Sequence, residues 1–450
     1  MSTPQDWLTR LKNREAPSSF WASQRLNEAS EVLANAEKMG NWVELSRHHN
    51  GFIREVAVRE LCTQSSPQAL AALTERLNDW VPQIRDLAAA GLERYLCSAQ
   101  VTALLYVLEP IMALAARQRV DHGPSLSAIR RVLQSPDVYA QVYAHFLSRQ
   151  GKAARYLFAL LLEKTAEPET LLRAALAHRE LTVRLQAVSA CKTLPAEIAS
   201  PLLLEALSRP GAKVRVCVLN ALLPVLADPQ PLLRRALLDA SPAIRSLARW
   251  AAPRHGIDAL EVLNLRLSEQ MPDTKRDWLG LMGLAFELDA EMPESWRTNA
   301  LGSPYATVRQ AAIRLLRGSS LSALFAALED PSSKVFNLSI AQLNTCPWAS
   351  ISVELSALLD SDWHPLPTPR REAILQLFPT WQQAAYLLKR MESEPVVQAY
   401  WLRQVNEWIN RQYAVVDPVT SKAERGALVN TLHTLAKDGL INRDHLARIT

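Results

Sequence analysis

A two-residue pattern, a β-branched residue followed by arginine, returns about every 31 positions along the chain and opens an Ala/Leu-rich segment. Successive copies are separated by 31, 99, 31, 30 and 64 residues, so the long gaps are close to three and two periods. Such a period is typical of stacked supersecondary units that bury their apolar faces against their neighbours. The pattern predicts a repeat protein. The copies are Ile53-Arg54, Ile84-Arg85, Val183-Arg184, Val214-Arg215, Ile244-Arg245 and Val308-Arg309.

Each period has room for two helices. The pairs Ser66-Pro67, Glu167-Pro168 and Ser200-Pro201 each precede a leucine-rich segment, and they predict the start of a first helix. Proline is tolerated at the first helical position because its missing N–H has no helical partner there, and serine caps the free donors. A second helix follows with apolar residues at helical spacing, as in the segment 183–194. Two helices of about 12 residues and two turns fill the period.

Two segments depart from the period. The spacing from Arg85 to Arg130 is 45 residues, which predicts an insertion or an irregular helix pair around Val101 to Gly123. Prolines at 365, 367 and 369 predict a loop or hinge over Asp360 to Arg370. Short helical patterns around 21–38 and 42–48 predict an N-terminal helical cap over 1–50. The solenoid is expected over 51–415, and capping helices, beginning with the capping box of Ser421 to Glu424, over 416–450.

The segment Leu238 to Arg245, followed by Leu247, Ala248 and Ala251, resembles the HEAT repeat, in the short bacterial form also found in phycobilisome-lyase-like proteins. The resemblance covers nearly the whole chain. It implies an all-α fold, a right-handed α-solenoid of HEAT-like helical hairpins with about 11 to 13 units.

In the HEAT family a turn aspartate and the arginine that opens the second helix form a ladder along the stack. Asp79 with Arg85 and Asp239 with Arg245 match those positions. The ladder is expected to be interrupted where other residues stand: Arg209 and Ser303 take the aspartate place, and Phe336 takes the arginine place.

Charge gives little support to nucleic-acid binding. The chain of 450 residues carries 50 Lys and Arg against 45 Asp and Glu, whereas non-specific binding to phosphates needs clustered cations. Locally, residues 205–254 hold eight bases against three acids, and residues 255–294 hold nine acids against three bases. Such bipolarity favours a protein partner with the opposite pattern over DNA.

Catalytic signatures are missing from the sequence. It contains no phosphate-binding glycine loop, no HExxH, no GxSxG and no Cys/His zinc spacing, so we expect no enzyme activity, no cofactor and no metal. The adjacent His48 and His49 point in different directions if they are helical, which disfavours chelation. Five dispersed cysteines predict buried free thiols in a reducing compartment.

Arginines and tryptophans supply the candidate binding residues. For the arginines, a structural role in the turns is favoured over a basic stripe along a groove. Trp363 is expected to be exposed because it lies in the proline-bearing segment, while Trp401 and Trp408, seven apart, are expected in the core. The candidates are Arg184, Arg215, Arg234, Arg245, Arg249, Arg276, Arg309, Trp250 and Trp363.

A non-enzymatic scaffold that binds a protein or peptide on its concave face is the favoured function, since stacked units create an extended surface. A nucleic-acid groove like that of HEAT-like DNA glycosylases is the first alternative, supported by Arg215, Arg234, Arg245, Arg249 and Trp250. A cofactor-attachment role like that of the bilin lyases is the second. Residues 1–17 lack the apolar core of a secretory signal, no apolar segment is long enough to span a bilayer, and cytoplasm is the expected compartment.

Overall fold

Helices form all of the regular structure that we can describe. The computed structural model describes residues 3–14, 20–316, 320–411 and 417–446, and within these ranges there is no strand. The prediction of an all-α chain is confirmed. Residue contacts divide the chain into two compact units, Met1–Asp228 and Pro229–Thr450.

Paired helices build the first unit. The helix Pro67–Arg76 packs on Pro82–Glu93, and Pro82–Glu93 packs in turn on Gly51–Leu61 of the preceding hairpin. The α-helices of this unit are Pro4–Arg14, Phe20–Met39, Trp42–Leu45, Gly51–Leu61, Pro67–Arg76, Pro82–Glu93, Val101–Tyr106, Leu108–Leu114, Gly123–Leu133, Tyr139–Ser148, Gly151–Leu162, Pro168–Leu176, Leu181–Cys191, Ala196–Leu207 and Ala212–Leu222.

The second unit repeats this packing. The helix Ala306–Leu315 contacts Glu294–Leu301 within its hairpin and Lys275–Glu287 and Ser333–Leu343 on either side. The α-helices of this unit are Gln230–Leu237, Pro242–Ala251, Ala259–Leu267, Lys275–Glu287, Glu294–Leu301, Ala306–Leu315, Leu321–Ala326, Ser333–Leu343, Trp348–Asp362, Thr368–Leu375, Thr380–Ser393, Gln398–Arg411, Lys422–Lys437 and Arg443–Leu446.

Helix starts follow the capping signals in most places. Ser66 accepts a hydrogen bond from the N–H of Ala69 at 3.1 Å, and the helix begins at Pro67 as predicted. The helix Pro168–Leu176 also begins at its proline. The capping box of Ser421 and Glu424 is present, with both reciprocal hydrogen bonds.

The predicted start at Ser200-Pro201 is wrong. The helix runs over Ala196–Leu207 and contains Pro201, and its N-cap is Pro195. Pro195 has φ −53° and ψ 146°, so its extended backbone leads the chain into the helix one turn earlier than the serine–proline pair. A proline marks a helix start only where no earlier residue has already begun the helix.

The irregular segment predicted around Val101 to Gly123 is present. Two short helices, Val101–Tyr106 and Leu108–Leu114, are separated by a break at Val107. Pro110 lies in the second of them, and because it has no N–H it cannot bond the carbonyl of Tyr106 four residues earlier. Residues 115–122 then connect to the helix Gly123–Leu133 without regular structure.

The loop predicted over Asp360 to Arg370 is shorter than expected. The helix Trp348–Asp362 enters this segment, and the next helix, Thr368–Leu375, starts inside it. Pro367 is the N-cap and Pro369 lies in the first turn, where a proline removes no helical hydrogen bond. The prediction that the prolines exclude helix from the whole segment is therefore wrong. The predicted boundary between 415 and 416 lies outside the described residues.

Tryptophans fill much of the core of the second unit. Trp401 and Trp408 are both 0% exposed, so the prediction that they lie in the core is confirmed. The rings of Trp381 and Trp408 lie 5.8 Å apart, and those of Trp363 and Trp401 lie 4.8 Å apart. Ring pairs at these separations add about 0.5–1.5 kcal/mol each to the free energy gained by burial.

Candidate functional site

The turns inside six hairpins are held by the side chain that stands six residues before the repeat arginine, or before Phe336 where that residue replaces the arginine. This side chain accepts a hydrogen bond from the backbone N–H two residues later, the geometry of an Asx turn. Such bonds join the N–H of Asn50 to His48, of Val81 to Asp79, of Glu180 to His178, of Ser241 to Asp239, of Tyr305 to Ser303 and of Ser332 to Asp330. Arg209 stands at this place before Arg215, and its side chain, having no acceptor, cannot act in this way.

Arg54 shows what the repeat arginine does. Its guanidinium donates to the carbonyls of His48 at 3.0 Å and His49 at 2.9 Å, in the turn of its own hairpin. It also donates two hydrogen bonds, at 3.0 and 2.9 Å, to the carboxylate of Asp79 in the turn of the next hairpin. The side chains of Arg54 and Asp79 are 3% and 1% exposed. One arginine therefore ties two consecutive turns together.

Other repeat arginines make some or all of the same contacts, and we call this series of contacts between arginines and turns the ladder. Arg85 donates to the backbone carbonyl of Asp79 at 2.8 Å. The carboxylate of Asp79 is instead hydrogen-bonded to Arg54 of the preceding hairpin. Arg309 donates to the carbonyl of Ser303 at 2.8 Å and holds the carboxylate of Asp330 through two hydrogen bonds.

Electrostatics favour the charged form of the ladder carboxylates. Burial by itself would raise the pKa of Asp79, but hydrogen bonds from Arg54 and from the N–H of Val81 outweigh burial and lower it. The pKa of Asp330 is lowered chiefly by its hydrogen bonds from Arg309, against the opposing effect of burial. Hydrogen bonds donated to an ionised carboxylate stabilise that form over the protonated one.

Three of the candidate arginines meet around two carboxylates of the second unit. Arg245 donates to Glu287 at 2.6 Å and to the carbonyl of Asp239 at 2.7 Å. Arg249 lies 3.2 Å from the second oxygen of Glu287, and Arg276 bonds the Asp239 carboxylate at 3.0 Å. Glu287 and Asp239 balance part of the charge of these arginines, of which Arg245 is buried and Arg276 is exposed, so their positive charge is not available to a ligand in full.

The remaining candidate arginines do not form one site. Arg184 and Arg215 belong to the first unit, and Arg184 donates to the carbonyl of Pro210 at 2.9 Å. Both are partly buried, as is Arg234 in the second unit. The predicted groove arginines are thus distributed between two units, and most of them contact the turns of the chain itself.

The two candidate tryptophans have opposite environments. Trp250 is 57% exposed, with the guanidinium of Arg254 3.9 Å from the ring centroid. Trp363 is only 2% exposed, so the prediction that it is exposed is wrong. Its indole N–H donates to Tyr400 Oη at 3.0 Å, and its ring packs on Trp401, a contact between residues far apart in the sequence.

An open pocket in the first unit lies beside two turns of the ladder and has a cavity volume of about 710 Å³. It falls within the range of about 300–1,000 Å³ that is usual for ligand sites. Five arginines and two acids are among its lining residues, which leaves an excess of positive charge. The lining charges are Arg47, Arg54, Arg76, Arg117, Arg119, Glu75 and Asp79.

One wall of this pocket comes from the irregular segment that breaks the repeat. Pro110 and Leu114 supply apolar surface, and Arg117 and Arg119 follow in the connection after the short helix. Arg119 donates to the carbonyl of Asn78 at 3.0 Å, which fixes the connection against the turn of an earlier hairpin. Insertions in repeat proteins often mark the binding face.

Three arginines of the pocket are exposed, unlike the buried Arg54, and have donors left over. Arg117 is exposed, and its guanidinium has no hydrogen bond or ion pair with any other described residue; only its backbone N–H is bonded, to the carbonyl of Leu114. Arg119 is exposed and uses one donor on Asn78, while Arg47 is bound on one side by Glu75. A guanidinium has five N–H donors, so all three can still bind an anionic group.

Glu28, His48 and His49 bring three ligand atoms within 4.8 Å of one another, a cluster that the sequence did not predict. Nδ1 of His48 accepts the N–H of Asn50, so in the neutral ring Nε2 must carry the proton. A protonated Nε2 has no lone pair for a metal. Burial, and then the neighbouring His49, lower the pKa of His48 and thereby favour this neutral ring. The geometry therefore explains His48 as a turn acceptor.

The cysteines within the described residues are all free, but they are not uniformly buried. Cys191 is buried, and burial raises its pKa to about 11, whereas Cys97 is exposed. The prediction of free thiols is confirmed, and the prediction that all are buried is wrong. Cys97 lies directly before the short 3-10 helix Ser98–Gln100, at the start of the irregular segment.

Sequence reasoning missed the pocket. The candidate residues did not include Trp80, which is 65% exposed at the pocket, nor Arg117 and Arg119. One signal was present in the sequence: the pocket wall is the segment whose spacing of 45 residues breaks the period. The turn histidines were also identifiable, since His48 and His178 each stand six residues before a repeat arginine.

In the described part of the chain, we find no helix that is both long and apolar enough to cross a membrane. No protein-family model matches the chain, and no curated protein matches it. Among solved structures, the chain is similar to an engineered protein from the Northeast Structural Genomics Consortium, with 13% identity and a TM-score of 0.23. That likeness covers 88% of this chain and 98% of the engineered one, but a TM-score this low carries no information on fold or function.

Proposed function

We propose that this chain is a non-enzymatic interaction scaffold, a right-handed α-solenoid of about 11 to 13 HEAT-like hairpins that binds a protein partner. The observation that carries the proposal is the contrast between its arginines. Arg54 of the ladder is buried and donates four hydrogen bonds to two turns, whereas Arg117 in the pocket is exposed, and its guanidinium donates to no other described residue. Structural demands account for the first kind of arginine and leave the second kind available for a partner.

The nucleic-acid alternative has less support. A duplex track needs several unpaired cations in succession along the phosphates. Arg245 and Arg249 are paired with Glu287, and Arg276 is paired with Asp239. We therefore place the protein-binding role first.

The test is affinity capture of the purified chain's partners from a lysate of its native cell, followed by determination of their stoichiometry. A scaffold is expected to retain at least one protein at a fixed ratio under gentle conditions. Recovery of no stoichiometric protein would contradict the proposal. Retention of bulk nucleic acid that nuclease treatment removes would favour the alternative instead.

A further inference from the structure

The pocket in the first unit combines positive charge with an apolar wall, and these two properties limit which ligands can bind in it. Its charges are arginine-rich, and its uncharged surface includes Trp80, Pro110, Ala113 and Leu114. Trp80 is 65% exposed, with the guanidinium of Arg54 5.3 Å from its ring centroid. An occupant must bring negative charge for the arginines and an apolar group for the wall.

We infer that this pocket binds an acidic peptide segment of a partner protein, one in which carboxylates flank an apolar side chain. The inference rests on the proposed scaffold function and names the chemistry of its partner. Carboxylates match the planar donor fork of arginine, and Arg117, Arg119 and Arg47 offer unused donors at one site. An aromatic or aliphatic side chain between the carboxylates would lie against Trp80 and Leu114.

An acidic peptide fits this pocket better than a nucleic acid does. Two acids, Glu75 and Asp79, line the same cavity as the arginines, and Glu109 and Asp121 lie within two residues of lining positions in the chain. A polynucleotide presents a phosphate at each step and needs a continuous run of cations. A peptide can place its few carboxylates only where an arginine stands.

The construction of the pocket supports a dedicated site. The break at Val107 and the connection after Leu114 bring Arg119 onto Asn78, which lies 41 positions earlier in the sequence. Nε2 of His122 lies 3.4 Å from Oδ1 of the same Asn78, which gives the connection a second attachment. The arginine-bearing wall is thus fixed against the turns before any ligand binds, so less entropy is lost on binding.

Fluorescence anisotropy with a short labelled peptide, a phenylalanine between two pairs of glutamates, tests the inference on the full chain. We expect saturable binding that weakens with added salt, since exposed charges are screened. The same peptide with glutamines in place of glutamates is expected to bind at least about tenfold more weakly. Equal binding of the two peptides would overturn the inference.

Variants locate the binding site. The double variant Arg117→Glu/Arg119→Glu is expected to weaken peptide binding at least about tenfold. Arg131→Glu is the matched control, because Arg131 is exposed in the same unit and lies outside the pocket, and it is expected to leave binding unchanged. Unchanged binding in the double variant would overturn the assignment. Circular dichroism checks that each variant is folded, and Arg117→Gln provides a milder change at the same position.

A third arm separates the alternatives. An oligothymidine of equal length that binds more tightly than the acidic peptide, and loses binding in the double variant, would reassign the pocket to nucleic acid. Partner capture by the double variant distinguishes failure of this inference from failure of the proposed function. If the double variant still retains a stoichiometric partner, the scaffold function is supported and the pocket is refuted as the partner's binding site. If the peptide binds but no partner is captured, the pocket assignment is supported and the scaffold function is contradicted.

Discussion

The turn carboxylates carry much of the specificity of this fold at the scale of single residues. Asp79 has three partners, since one oxygen accepts the N–H of Val81, both oxygens bind the guanidinium of Arg54, and one also accepts from Arg76 at 3.0 Å. Removing one member of a buried ion pair leaves the other charged and unpaired, and that penalty exceeds the net free energy that the pair contributes. Any neutral replacement of Asp79 therefore leaves the buried Arg54 without its counterion.

Substitution of Asp79 tests this account. Asp79→Ala is expected to lower the free energy of unfolding by about 3–5 kcal/mol, because it strands the buried Arg54. Asp79→Asn keeps an oxygen for the Val81 N–H and should lose less. Glu75→Gln, which breaks the exposed pair with Arg47, is the control and should change stability by about 0–1 kcal/mol. Urea denaturation measures all three, and a ranking with Glu75→Gln as the most damaging change would contradict the account.

The pH dependence of the same variants has a definite sign. The pKa of Asp79 is lower in the folded state than the ordinary unfolded value of about 3.9. Its contribution is therefore complete above that unfolded value and is lost as pH falls through the folded value. Wild type should lose stability in acid more steeply than Asp79→Asn, as seen in unfolding midpoints measured at successive pH values. Equal slopes would show that Asp79 does not titrate differently on folding.

At the scale of helices, close packing depends on glycine in the helix Lys275–Glu287. A Cβ on Gly280 would lie 1.9 Å from the carbonyl oxygen of Leu238, and one on Gly283 would lie 2.4 Å from the guanidinium carbon of Arg245. The two glycines, one turn apart, let this helix approach the preceding hairpin and let Arg245 cross it to reach Glu287.

Alanine substitutions should separate this contact from the general effect of glycine in helices. Gly280→Ala is expected to destabilise the protein by about 1–3 kcal/mol, since the carbonyl of Leu238 belongs to the backbone and cannot move freely. A Cβ on Gly426, inside the helix Lys422–Lys437, meets nothing within 4 Å. Gly426→Ala should therefore stabilise by about 0.5–1 kcal/mol. Thermal unfolding checks both, and a shift of the same sign in the two variants would refute the packing argument.

The sequence predicted correctly the features that depend on residues close together in the chain. Ser66 and Ser421 cap helices where the sequence indicated, and Trp401 and Trp408 are buried as their spacing indicated. The burial of Trp363 could not be predicted in this way. Its burial depends on Tyr400 and Trp401, and nothing near it in the sequence records that packing.

The candidate site was less predictable than the helices. The repeat arginines were recognisable from their spacing, yet the sequence could not say that the carboxylate of Asp79 is held by Arg54 and not by Arg85. Nor could it place Arg119 on Asn78, since that contact follows from the path of an irregular connection. Contacts between hairpins depend on how successive turns align, and a period alone does not specify this.

At the scale of the whole molecule, two units divide the internal contacts, and within each unit a hairpin mainly contacts its neighbours. In such arrays stability is approximately a sum of the stabilities of single repeats and of nearest-neighbour interfaces. Damage to one ladder rung should therefore spread to adjacent hairpins and fade with distance along the chain. Asp79 lies in the first unit and Gly280 in the second, so a destabilising substitution can be made in each unit and its effect on the other unit measured.

Hydrogen exchange measured by mass spectrometry can follow that spread. Asp79→Ala is expected to speed exchange in the helices Gly51–Leu61, Pro67–Arg76 and Pro82–Glu93 and to leave the second unit unchanged. Gly280→Ala is expected to act on Gln230–Leu237 and Lys275–Glu287 and to spare the first unit, because local opening involves cooperative segments smaller than the whole chain. If either substitution accelerated exchange throughout both units, the chain would unfold as one cooperative body, and nearest-neighbour additivity would not describe it.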